Sequence, residues 1–171
     1  MEKSIKESES NIILALDFPY TDNSRQLLSR SLEVLESVSP YLCAVKLNRQ
    51  LVLPLGLFNG VQTIVNRAHD LGLQTIMDAK INDVENTNRA IAEYYYKAGF
   101  DAVIASPFVG WEEGLQPIFE VAKKMSRGVI VLVYMSHKGA VEGYGQMVQD
   151  STTKRLVPQY RIFAENALNW K

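Results

Sequence analysis

Five short apolar segments alternate with helical segments along this 171-residue chain, and their starts recur at intervals of roughly 27 to 33 residues. This alternation constrains the fold more than any other feature. Near-continuous apolar strands that alternate with helices predict a parallel sheet covered by helices. The predicted strands are residues 11–18, 42–48, 74–80, 101–108 and 128–136, and the last predicted helix runs from about 153 to 170.

The chain reads as a single domain over residues 1–171, since its length suits one domain. Residues 1–10 are polar and charged and are predicted to be a flexible lead-in. Pro19 is predicted to stop the first strand, and the Asp22-Asn23-Ser24 cluster to begin the first helix.

Two architectures suit this alternation, an open doubly wound sheet and a (β/α)₈ TIM barrel. The chain lacks the glycine-rich dinucleotide and P-loop motifs that many doubly wound sheets carry. Polar residues instead follow the predicted strands at their carboxyl ends, which is the catalytic face of a barrel. These residues are Asp17, Lys46, Asp78, Lys80 and Ser136. The pattern therefore favours an α/β chain of the TIM-barrel type.

Four of these side chains are predicted to converge on one site. Residues two apart on a strand share a face, so Asp78 and Lys80 are expected to point together. A single charge at a strand end is usually solvated, but two lysines and two aspartates from three strands favour a functional cluster. Alternating signs would place a cation beside developing negative charge and an anion beside a leaving carboxylate.

The segment DAKINDVENT, residues 78–87, resembles the D-x-K-x-x-D-(I/V)-x-x-T signature of the orotidine 5′-phosphate decarboxylase family. The segments LALD (14–17), VKLN (45–48) and MSHKG (135–139) fall where that family carries motifs on its first, second and fifth strands. The resemblance implies a cofactor-free (β/α)₈ barrel that forms a homodimer. The reaction it implies is decarboxylation of orotidine 5′-monophosphate to uridine 5′-monophosphate, a step of de novo pyrimidine synthesis.

The resemblance also implies residue roles. Lys80 would donate a proton to C6 of the pyrimidine, Asp78 would lie against the substrate carboxylate, and Lys46 would bridge the ribose and the carboxylates. Asp17 would bind a ribose hydroxyl, and Ser136 would contact the pyrimidine edge. Asp83 and Thr87 would reach into the site of the neighbouring subunit.

A sister group shares this barrel and the D-x-K-x-x-D element but uses Mg²⁺: 3-hexulose-6-phosphate synthase and 3-keto-gulonate-6-phosphate decarboxylase. Those enzymes resemble one another in a glutamate at the second-strand position, where this chain has Lys46. A lysine would repel a divalent ion, so no metal is expected, and the resemblance implies that no cofactor is needed. His69 is expected at the surface, and the two histidines and one cysteine show no zinc spacing.

Composition indicates the cellular location of the protein and excludes some classes of partner. A formal net charge of -1 gives no electrostatic footprint for nucleic acid or an anionic membrane. No apolar run approaches the roughly 20 residues that span a bilayer. Cys43 has no second cysteine with which to pair, which fits a reducing cytoplasm. We therefore expect a cytoplasmic protein, and the family resemblance implies that its partner is a small nucleotide.

Five βα units account for the chain to Lys171, and strands six to eight of a barrel are not among them. No arginine can be assigned to a substrate phosphate from the motifs. We therefore expect either part of a longer enzyme, feeble alone, or a degenerate and catalytically dead interaction protein.

Overall fold

The computed structural model describes residues 5–6, 8–20 and 23–170. Its main sheet has five parallel strands, each paired with the next along the chain. They are β1 (Ile13–Leu16), β2 (Ala44–Asn48), β3 (Gln74–Ile81), β4 (Ala102–Ala105) and β5 (Gly128–Val131). A doubly wound sheet reverses its strand order, whereas this order runs in one direction, as in a barrel. The prediction of a TIM-type α/β chain is confirmed.

Helices connect and cover the strands. They are α1 (Ser24–Val38), α2 (Arg49–Leu55), α3 (Gln62–Asp70), α4 (Glu85–Lys97), α5 (Gln116–Lys124), α6 (Ala140–Gly143) and α7 (Gln159–Asn169). The predicted start of α1 is correct, because the Asn23 side chain accepts a hydrogen bond from Gln26 N at 3.0 Å and caps the helix. Asp22, which belongs to the same predicted cluster, lies outside the described residues.

The sheet has two different faces. On the helix side, Leu16, Leu47, Met77 and Val103 are buried in the main core. On the opposite side Ala44 and Ile76 form a smaller cluster, and at the two sheet edges Ile13 and Ile130 remain exposed. The residues that carry the site belong to this second face. Ile5 also packs there. The flexible lead-in over residues 1–10 stays a prediction, and residues 1–4 and 7 lie outside the described part.

The fourth and fifth predicted strands extend furthest past the observed carboxyl ends. β4 ends at Ala105 because Pro107, which has no N–H to donate to a neighbouring strand, begins a 3₁₀ turn. β5 ends at Val131. Leu132 N still donates a hydrogen bond to Ala105 O, but Ala105 is the last residue of β4, so no further residue of β4 pairs with β5. Ser136 therefore lies in a bend five residues beyond the strand, not at its end.

The C-terminal part also differs from the prediction. Residues 156–158 are not helical, because β7 (Leu156–Pro158) pairs antiparallel with β6 (Met147–Gln149) in a separate hairpin. The last helix therefore begins at Gln159 rather than near residue 153. Helix α2 was not predicted from the sequence; Asn48 caps it by accepting a bond from Gln50 N at 3.0 Å.

Within the described residues, no helix is both long enough and apolar enough to cross a membrane.

Candidate active site

Three charged side chains meet at the carboxyl ends of β2 and β3. Lys46 Nζ lies 2.7 Å from Asp78 Oδ2, and Lys80 Nζ lies 2.6 Å from Asp78 Oδ1. Each carboxylate oxygen of Asp78 therefore has its own ammonium partner. Asp78 is buried while both lysines are partly exposed, so the pair of cations remains accessible to a ligand. The predicted convergence of these three residues is confirmed by the geometry.

The backbone reaches this arrangement through an irregularity in β3. Met77 pairs with Val103 and Ile81 pairs with Ala105, so four steps along β3 match only two along β4. The extra residues form a bulge, which bends a strand and redirects its side chains. Lys80 within it has φ of +48°, a left-handed conformation that costs a non-glycine residue on the order of 1 kcal/mol. Regular alternation correctly predicted that Asp78 and Lys80 meet, but not this bulge.

The environment keeps Asp78 ionised. Burial raises the pKa of this carboxyl group, since water no longer solvates its charge. The hydrogen bonds and the positive charges of Lys46 and Lys80 outweigh that effect and hold the pKa of Asp78 below its usual value. The cluster at neutral pH therefore carries two cations and one anion, and has an excess positive charge to offer an anionic ligand.

Asp17 lies beside this cluster with a partner that the sequence reasoning missed. Asn48 Nδ2 donates a hydrogen bond to Asp17 Oδ1 at 2.6 Å. The Asn48 Oδ1 atom caps α2, so the amide group can turn only with loss of one of these two bonds. A sequence signal existed, because Asn48 is two residues after Lys46 and therefore shares its face of the strand. Asp17 itself is exposed and open to a ligand.

Asp83 and Thr87 follow the end of β3, and Asp83 lines one pocket together with Lys80. The Asp83 carboxylate accepts a hydrogen bond from Val84 N at 2.8 Å, and its side chain is otherwise exposed. Thr87 is half-buried in the first turn of α4. Neither residue is bonded to Lys46, Asp78 or Lys80 among the described hydrogen bonds and ion pairs. Their roles in a neighbouring subunit stay predictions.

Ser136 is exposed in the bend between β5 and α6. None of the described hydrogen bonds joins it to the charged cluster. Its predicted contact with a pyrimidine therefore stays a prediction.

Potential metal ligands do not gather in the described part of the chain, where no group of three or more His, Cys, Asp or Glu side chains could hold an ion. At the position next to Asp78, where an acidic residue would help to bind a cation, the ammonium group of Lys46 is present instead. The arrangement suits the binding of an anion.

The sequence model described as "Orotidine 5'-phosphate decarboxylase / HUMPS family" matches residues 10–167. The chain belongs to this family, as the motif resemblance implied. Among curated relatives, it is 37% identical over 134 residues to orotidine 5'-phosphate decarboxylase of Thermococcus kodakarensis, covering 78% of this chain and 55% of the relative. The chain thus spans just over half the length of this relative.

Solved structures agree with that assignment. The crystal structure of orotidine 5'-phosphate decarboxylase from Pyrococcus horikoshii matches with a TM-score of 0.69 and 29% identity, covering 91% of this chain and 61% of the other. The Methanocaldococcus jannaschii enzyme complexed with inhibitor BMP matches with a TM-score of 0.65 and 32% identity, covering 77% of this chain and 56% of the other.

Proposed function

We propose that the protein binds orotidine 5′-monophosphate and removes its carboxylate to give uridine 5′-monophosphate. The observation that carries the proposal is the Lys46–Asp78–Lys80 cluster, in which two partly exposed ammonium groups flank one buried carboxylate. The curated relatives bear the name of this activity, and a structural neighbour was solved with the inhibitor BMP. The proposal concerns the whole protein, because this chain spans only about half the length of the curated relatives that bear this name.

The charges of the cluster suit this reaction. A bound substrate carboxylate would bring the local balance to two cations and two anions, with its negative charge next to that of Asp78. Breaking the C6–carboxylate bond releases carbon dioxide and leaves the electron pair on C6, so negative charge moves from the carboxylate to the ring. Lys80 can then stabilise that charge and deliver its proton to C6, after which water returns a proton to the amine.

Lys80 has the largest expected role, so its removal tests the proposal directly. We expect Lys80→Ala to lower kcat at least about a hundredfold, because a positioned proton donor contributes 10²–10⁴-fold, while nucleotide binding remains detectable. The assay is release of carbon dioxide from orotidine 5′-monophosphate. Lys97→Ala is the matched control, since Lys97 also forms an ion pair but lies on α4 with Glu93. Turnover by Lys80→Ala equal to that of the control would refute the proposal.

The predicted homodimer belongs to the same proposal, with Asp83 and Thr87 acting in the partner's site. The exposure of Asp83 beyond the end of β3 supports this role. Among the described hydrogen bonds, its carboxylate accepts only from Val84 N, so it is accessible to a group of a partner subunit. Mixing Lys80→Ala subunits with Asp83→Ala subunits should restore some activity, since one mixed site would contain both native residues. Mixtures as inactive as their parents would place Asp83 in its own subunit's site.

The runner-up function is the Mg²⁺-dependent sugar-phosphate chemistry of the sister group, which the family description also includes. Lys46 argues against it, because its ammonium group is bonded to the carboxylate that would ligate the metal. Activity is therefore expected to be the same with and without EDTA. Loss of activity in EDTA that Mg²⁺ restores would favour the runner-up.

We also propose that the protein acts in the cytoplasm. The absence of a membrane-crossing helix among the described residues and the single cysteine support this location. Fractionation of cells with an antibody to the chain would test it, and recovery in the membrane or secreted fraction would contradict it.

A further inference from the structure

An asparagine is buried where helix α4 faces the core. Asn88 has no exposed surface and lies on the same stripe as Ala92 and Tyr96, the other buried residues of this helix. Asparagine is a weak helix former, and a buried amide is costly unless its hydrogen bonds are made. An apolar residue would serve packing better at this position. The reason for Asn88 must therefore be found in its bonds.

The Asn88 side chain uses its full donor capacity on two loops. Its Oδ1 atom accepts from Asp83 N at 3.1 Å, and its Nδ2 atom donates to Asp83 O at 2.6 Å and to Gly114 O at 2.8 Å. One amide thereby holds both backbone polar groups of Asp83. It also connects the loop after β3 with the loop after β4 through Gly114, which lies 26 residues after Asn88.

We propose that Asn88 is a positioning residue that fixes Asp83 just past the end of β3, beside the site, by joining these two loops. The proposal rests on the proposed function, in which Asp83 takes part. The Asp83 carboxylate has only the neighbouring Val84 amide as a partner among the described hydrogen bonds, so its own side chain does little to hold it. The preceding chain contains the β3 bulge and the left-handed Lys80. The bonds from Asn88 therefore set the direction in which Asp83 leaves the strand.

Gly114 provides the other end of this connection. A Cβ atom at this position would lie 2.5 Å from Val109 O, so a larger residue forces the backbone to move. The adjoining Glu113 has φ of +55°, which keeps the loop in an unusual conformation. A cavity of about 750 Å³ lies between the two loops and is lined by residues of both, including Asp83 and Gly114. Asn88 therefore also sets the separation of the loops across this cavity.

Hydrogen exchange tests the connection without any need for activity. In Asn88→Ala, amide exchange followed by mass spectrometry should be about tenfold faster in peptides covering residues 82–86 and 110–115, as expected for loss of one net hydrogen bond or more. Gly114→Ala should speed amide exchange in the same two segments, because it displaces the acceptor of the Asn88 bond. It provides the test if Asn88→Ala does not fold. Ser31→Ala is the matched control, because Ser31 is equally buried and donates to Leu27 O in α1.

Kinetics test whether the connection serves Asp83. Asn88→Ala should lower kcat for carbon dioxide release at least about fivefold in the native background, but less than twofold in an Asp83→Asn background. If Asn88 merely stabilised the fold, its replacement would lower kcat by the same factor in both backgrounds.

The outcomes separate this proposal from the proposed function. Unchanged exchange in both loops, or equal losses of kcat in the two backgrounds, would overturn the role of Asn88. A wild-type protein without turnover would instead contradict the proposed function, and the exchange experiment would still decide whether Asn88 holds the loops.

Discussion

The strands carry a charged network at each end, and each network is centred on one aspartate. At the carboxyl ends, which we call the rim, Asp78 is held between Lys46 and Lys80. At the amino ends, which we call the base, Asp101 accepts bonds at Oδ2 from His69 at 2.8 Å and from Thr75 N at 2.8 Å. The same residue type therefore has two very different sets of partners.

The difference lies in the kind of donor. At the base, the Asp101 carboxylate is bonded by a backbone amide, the Thr75 hydroxyl at 3.0 Å, and the planar groups of His69 and Arg127. These groups have fixed directions and join α3, β3 and the turn before β5. At the rim, both donors are lysine ammonium groups on long flexible stems. The base is thus built to hold strands together, whereas the rim can rearrange around a ligand.

Removing the central aspartate at the base should have the largest effect on stability. Asp101→Ala leaves Arg127 and the Thr75 amide without their partner in a mostly buried place, which should lower the free energy of unfolding by about 2–4 kcal/mol. Urea unfolding measures the change, and Asp70→Ala is the control, since Asp70 is an exposed aspartate on the same helix as His69. Activity per folded molecule should be unchanged. A stable Asp101→Ala protein with impaired turnover would reverse the roles of the two ends.

The rim was easier to predict from sequence than the base. Period-two alternation and the position of polar residues after apolar runs were enough to bring Lys46, Asp78 and Lys80 together. The bulge that sets their geometry depends on how β3 pairs with β4, and local sequence does not specify that register.

The base network was missed because its members lie far apart along the chain and share no motif. His69 was expected merely at the surface, and it is indeed partly exposed while bonded to Asp101. The available signal was the spacing, since Thr75, Asp101 and Arg127 follow one another at 26 residues, one βα unit each. Similarly, the hairpin of β6 and β7 contains no apolar alternation long enough to distinguish it from the start of a helix.

A pH series should reveal the contribution of the rim to stability. The expected change in the free energy of unfolding is smaller than that for Asp101→Ala. The pKa of Asp78 is lowered in the folded protein, so the unfolded chain binds the proton first as the pH falls. The stability due to Asp78 is therefore complete above its unfolded value near 3.8 and is lost as the pH falls through the lower folded value.

Asp78→Asn provides the measurement, because asparagine resembles the protonated acid. The variant should be less stable than wild type by about 1–2 kcal/mol at neutral pH, and the two should converge once the pH lies below the folded pKa of Asp78. Urea unfolding at a series of pH values gives both curves. A difference that stays constant across the acid range would show that the two ion pairs contribute nothing to stability.

The smallest expected effect concerns the bond between Asn48 and Asp17. Asn48→Asp retains an oxygen that can cap α2 at Gln50 N, but it replaces the donor 2.6 Å from Asp17 with a second carboxylate. Repulsion should turn Asp17 away from its present position, while the cap keeps the fold intact. If Asp17 binds the ribose, KM should rise about three- to tenfold with a smaller change in kcat, equivalent to about 1 kcal/mol of binding. The control is Asn23→Asp, a cap residue of α1 that loses no such donor. A change in kcat alone, with KM unchanged, would mean that Asn48 acts on the Lys46–Asp78–Lys80 cluster rather than through Asp17.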